Sequence, residues 1–136
     1  MNRPYLFVTS LLMLLPLTFL NKFHLTIEEI ILAGFLLLSS SLSSAFWINP
    51  VPKSTIHYYD GIFAKISIIL FSIYVLFIKK IDFEFRIAFV ILLSIGLFMF
   101  YKSNKHSSKK WGSRKHTYYH VIFHIFIIYG SIIAFI

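Results

Sequence analysis

Apolar residues in this chain gather into runs, each closed by a short polar stretch. The runs cover approximately residues 5–20, 27–48, 58–78, 87–101 and 117–136. A helix needs about 20 apolar residues to cross a bilayer core, and none of the runs alternates strictly as a half-buried strand would. The pattern predicts an all-α, polytopic transmembrane helix bundle of about five spans, a single domain over residues 1–136.

Local signals mark the ends of these runs. Thr26-Ile27-Glu28-Glu29 reads as a capping box, in which the hydroxyl of Thr26 and the carboxylate of Glu29 satisfy each other's backbone N–H. Asn49-Pro50-Val51-Pro52 closes the second helix, because proline can neither donate to a helix nor follow a helical residue easily. Ser54 then stands where the third helix needs an N-cap. Pro16 predicts a kink in the first run, which reads as an uncleaved span because Phe19-Leu20-Asn21-Lys22 lacks a small-x-small cleavage pattern. Lys79 to Arg86 is a mixed-charge turn, and residues 102–115 read as a basic loop. Ser39, Ser40, Ser41, Ser43 and Ser44 crowd the second half of span two, where small hydroxyl residues let helices approach closely. At about 100° per residue, His57, Asp60, Ala64, Ser67, Phe71 and Tyr74 share one face of the third helix, with Lys65 about 140° around from Asp60.

Composition narrows the class. Apolar residues make up 58% of the chain and charged residues only 13%, with a mean hydropathy of +0.80. A soluble domain of 136 residues has too little interior to hide that much apolar surface. The absence of cysteine excludes disulfides, thiolate metal sites and cysteine nucleophiles. A formal charge of +8 is not read as a nucleic-acid footprint, because the basic residues flank apolar runs. They predict orientation and contact with membrane lipids, with anionic headgroups gathered at the basic loop. With the N-terminus cytoplasmic, inner segments hold eight lysines and arginines and outer segments four, so that topology is expected.

This orientation brings the end of span two and the starts of spans three and five to one membrane face. Ser43, Ser44, Trp47, His57, Asp60, His116 and His120 are then expected in one layer. His116, His120 and His124 are spaced four residues apart, so their rings stack along one helix face. Such spacing suits metal ligation, and a catalytic zinc needs three protein ligands and an open position for water. His116 and His120 would supply two, with His57 or alternatively His124 as the third. Asp60 would hold or activate the bound water, and Ser43 would steady a developing oxyanion.

The same residues resemble a known family. Ser43-Ser44-Ala45-Phe46-Trp47 at the end of helix two, His57-Tyr58-Tyr59-Asp60-Gly61-Ile62 at the start of helix three and His116-Thr117-Tyr118-Tyr119-His120 at the start of the last helix resemble the signatures of the superfamily of alkaline ceramidases, progestin and adipoQ receptors and hemolysin III proteins. The resemblance implies zinc held by histidines, an aspartate on the metal-bound water, and counterpart roles for Ser43, Asp60, His116 and His120. It implies a zinc-dependent hydrolase of lipid amides or esters. Trp47 stands where the family has a third histidine, and this chain has two spans fewer. A second function stays open beside it: a non-enzymatic, lipid-interacting membrane protein without a metal, its polar residues packing helices.

Overall fold

The computed structural model describes residues 4–136 and is helical, with no strand among them. Its helices are α1 (Pro4–Leu12), α2 (Ile27–Ile48), α3 (Thr55–Ile73), α4 (Phe83–Lys109) and α5 (Arg114–Phe135). A 3-10 turn, Leu15–Phe19, follows α1, and a π-helical turn, Tyr74–Ile78, extends α3. The four helices α2, extended α3, α4 and α5 are long and apolar enough to cross a membrane. The chain is a multi-pass membrane protein.

The first apolar run departs from one straight span. Its helix ends at Leu12, and Pro16 sits inside the tighter turn that replaces it. Residues 1–3, with Arg3 among the eight basic residues expected on the cytoplasmic side, lie outside the described residues. The expected basic loop also differs. Residues 102–109 continue α4 as helix, and only Lys110 to Ser113 turns. Nothing in Lys102-Ser103-Asn104-Lys105-His106-Ser107-Ser108-Lys109 breaks a helix, and cations suit a helix C-terminus. Hydropathy marks where the apolar run stops, whereas the helix runs on until Lys110 turns extended, and Gly112 with φ 71° carries the turn into α5. At about 1.5 Å per residue α4 spans about 40 Å, longer than a hydrocarbon core of about 30 Å.

Two antiparallel pairs, α2 with α3 and α4 with α5, carry most of the helix packing, and α1 with its 3-10 turn bridges α2 to α5. The serines of α2 make these approaches possible on two sides. Toward α3, Ser39 and Ser67 hydroxyls meet at 2.8 Å. Toward α1, Ser40 Oγ donates to the Ser10 carbonyl at 2.6 Å, and the Ser43 and Ser10 hydroxyls meet at 2.9 Å. Between α4 and α5, a Cβ at Gly96 would lie 3.4 Å from the Cβ of Phe126.

Two apolar clusters close the bundle. One, at the Glu29 end, holds Leu32, Leu36, Phe71, Val75, Phe89 and Phe135. It is clasped by Glu29, which completes the Thr26 capping box, accepts from Tyr74 Oη at 3.2 Å and pairs with Lys79 at 3.5 Å. Lys79 also donates to the Ala134 carbonyl at 2.9 Å, joining α2, α3 and α5. The other cluster, at the basic end, holds Leu6, Phe46 and Trp47 with Trp111 against them.

Candidate functional site

A cavity of about 300 Å³ opens between the two helix pairs. All six sequence-predicted residues line it: Ser43 from α2, His57 and Asp60 from α3, and His116, His120 and His124 from α5. Most of the face expected on α3 turns to the same space, with Ala64, Ser67 and Phe71 lining it, whereas Tyr74 bonds Glu29 instead. Phe89, Leu93, Phe100, Phe123 and Phe126 make much of the remaining wall apolar, with Lys65, Asn104, Ser107 and Ser131 also bordering it. The convergence follows from chain direction, because α2 ends where α3 and α5 begin.

His57 and His116 are held by one repeated device. Ser54 Oγ accepts the His57 backbone N–H at 3.3 Å, and the His57 ring Nδ1 accepts the Lys53 N–H at 3.0 Å. Ser113 Oγ accepts the His116 backbone N–H at 3.2 Å, and the His116 ring Nδ1 accepts the Gly112 N–H at 3.0 Å. In both turns the residue before the serine has positive φ, 62° at Lys53 and 71° at Gly112. This left-handed turn aims the preceding N–H back at the helix. It is a variant of the capping box, with histidine replacing glutamate and reaching one residue further. The echo of Lys53-Ser54-x-x-His57 in Gly112-Ser113-x-x-His116 is present in the sequence, but only the shared turn geometry reveals its meaning.

The other two histidines are turned differently. Ser103 Oγ lies 3.1 Å from His120 Nδ1 and 3.4 Å from the His116 carbonyl. Thr9 Oγ1 lies 2.9 Å from His124 Nδ1 and 3.2 Å from the Leu6 carbonyl. Both rings are held through Nδ1. Their ring centroids are 4.8 Å apart. Thr9 and Ser103 hold rings that line the cavity and are not among the sequence-predicted residues. Neither carries a recognisable motif.

The donor set does not fit the three-ligand zinc site that the resemblance implies. A neutral imidazole whose Nδ1 accepts an N–H carries its proton on Nε2, so His57 and His116 present a donor there rather than a metal ligand. Trp47, at the position of the family's third histidine, stacks on Trp111 at 5.9 Å and 11°. Among the described residues, no three histidine, aspartate or glutamate side chains are grouped to hold a metal ion. Ser43 is committed as well. Ser10 Oγ donates to the Leu6 carbonyl at 2.7 Å, so the Ser43 hydroxyl spends its single proton on Ser10.

Aromatic rings seal the basic end of the cavity. The His57 ring stacks on Phe46 at 4.5 Å and 12°, and Trp47 meets Phe46 edge-on at 4.8 Å. Comparison with known proteins adds no relative: no family model, no curated protein and no solved structure matches the chain.

Proposed function

We propose that this membrane protein binds a lipid-like amphiphile in the cavity between its helix pairs, without a metal, the polar end of the ligand resting on the layer of His57, Asp60 and His120. The observation that carries this reading is the cavity itself, about 300 Å³ with an apolar wall and these polar groups converging at one end. Ligand sites combine such walls with a few placed polar groups, and this volume lies at their lower limit. The basic end is assigned to the cytoplasm, where Lys105, Lys109 and Lys110 reach anionic headgroups. Native mass spectrometry of the purified protein tests the binding reading. Gly61 lines the cavity, and a Cβ there would meet nothing within 4 Å. Gly61→Leu is expected to fill the space and abolish retained lipid while the helix content holds. Equal lipid retention in wild type and Gly61→Leu overturns the reading.

Zinc-dependent hydrolysis of a lipid amide or ester is the second reading. Its support is that Ser43, Asp60, His116 and His120, the counterparts the resemblance implies, line one cavity. It requires the His116 ring to turn and give up its bond to the Gly112 N–H. Stoichiometric zinc in the purified protein, lost on joint His116→Ala and His120→Ala substitution, would establish it over the first.

A further inference from the structure

The polar end of the cavity has an unsatisfied acceptor and an unsatisfied donor. Asp60 is partly buried on α3, and among the described residues its carboxylate meets neither a hydrogen-bond donor nor a cation. The ion pair among these residues is Lys79 with Glu29, at the far end of the bundle. Lys65 borders the cavity but is exposed, and among the described residues no carboxylate lies within 4.0 Å of it. An ionised carboxylate at membrane depth is costly unless something pairs with it. An unmet donor stands beside it on the same helix face. His57 has its Nδ1 engaged by Lys53 and therefore carries its proton on Nε2. His57 and Asp60 are three residues apart on one helix face, about 5–6 Å between Cβ atoms.

A neutral headgroup would leave the carboxylate without a counter-charge. A purely cationic one would leave the His57 N–H without an acceptor, and a purely anionic one would be repelled by Asp60. The geometry points to a zwitterionic phospholipid headgroup, its ammonium placed against Asp60 and its phosphate oxygens against the Nε2–H of His57. A single acyl chain suits the narrow apolar part, bounded by Phe71, Phe89, Leu93, Phe100 and Phe126. This inference rests on the cavity-binding reading and adds the class of ligand.

The test is competition for a fluorescent lysophosphatidylcholine bound to the full-length protein in nanodiscs. Four competitors share one chain and differ in head: lysophosphatidylcholine, lysophosphatidate, an alkyltrimethylammonium and a monoacylglycerol. The zwitterion is expected to compete about tenfold better than the others, the difference that one charge-assisted interaction makes. Asp60→Asn is expected to erase its advantage over lysophosphatidate, and His57→Glu, which keeps the helix cap but removes the N–H, to reduce its advantage over the alkyltrimethylammonium. Equal competition by all four heads overturns the headgroup assignment and leaves the cavity reading standing, independently of how any variant folds. No specific binding of the probe overturns both. Free glycerophosphocholine is expected to compete poorly; displacement as strong as that by the lipid would assign the site to a soluble headgroup and overturn the lipid assignment.

Discussion

His57 and His116 make the same hydrogen bond: each ring Nδ1 accepts, at 3.0 Å, the backbone N–H four residues earlier. Both bonds close a turn that would otherwise leave a helix N-terminus with one more unmet donor. Each histidine therefore has a structural duty that competes with metal binding.

Loss of either ring is expected to cost about 1 kcal/mol of stability, the usual worth of an N-cap interaction. His57→Ala and His116→Ala should each lower the thermal midpoint in detergent. His57→Glu and His116→Glu should recover most of the loss, because glutamate three residues after the N-cap serine forms the ordinary capping box. If alanine variants at both positions unfold at the wild-type temperature, the capping role is wrong.

Glu29 is expected to be the most sensitive polar residue at its end of the bundle. Glu29→Ala removes the reciprocal cap of Thr26, the acceptor of Tyr74 and the partner of Lys79 together. Removing one partner of a buried pair costs about 3–5 kcal/mol, and the one-tenth exposure of these side chains places this pair at the lower part of that range. The double variant Glu29→Gln with Lys79→Gln should lose less than the sum of the two single changes, read by unfolding in mixed micelles. Additive losses would show that the charges do not sense each other.

Ser39 and Ser67 tie α2 to α3 through a hydroxyl pair at 2.8 Å. A double-mutant cycle to alanine is expected to give a coupling of about 0.6 kcal/mol, typical of hydrogen bonds between membrane helices. Zero coupling would mean that the small side-chain volume alone governs this approach.

The exposed lysines at the end of α4 are expected to select anionic lipid. Changing Lys105, Lys109 and Lys110 to glutamine should reduce the preference of spin-labelled phosphatidylserine over phosphatidylcholine, by about 1 kcal/mol per charge at low salt. The wild-type preference should itself weaken as ionic strength rises. A preference unmoved by salt or by the substitutions would refute the assignment.

Much of the site is legible in the sequence. The apolar runs give the helix count, and the starts and ends of α2, α3 and α5 put Ser43, His57, Asp60, His116 and His120 at one level. Histidine roles are not legible, because they depend on which ring nitrogen faces which neighbour. Four-residue spacing groups His116 with His120 and His124, yet the bonds to Gly112, Ser103 and Thr9 separate His116 from the other two. Thr9 is 115 residues from His124 in the chain, a pairing that no local pattern carries.

The sequence by itself determined a membrane-embedded, all-helical chain, because apolar length and the Thr26, Ser54 and proline signals act within a few residues. It also determined which face of α3 would be polar, since helical period is a local property. Tertiary structure alone decided that α1 is short and bridges two helix pairs, that α4 runs on to Lys109, and that the polar layer borders a cavity. It also decided which neighbours hold the rings of the four cavity histidines. A ring's orientation follows from the donors and acceptors brought against it, and folding brings those from distant parts of the chain.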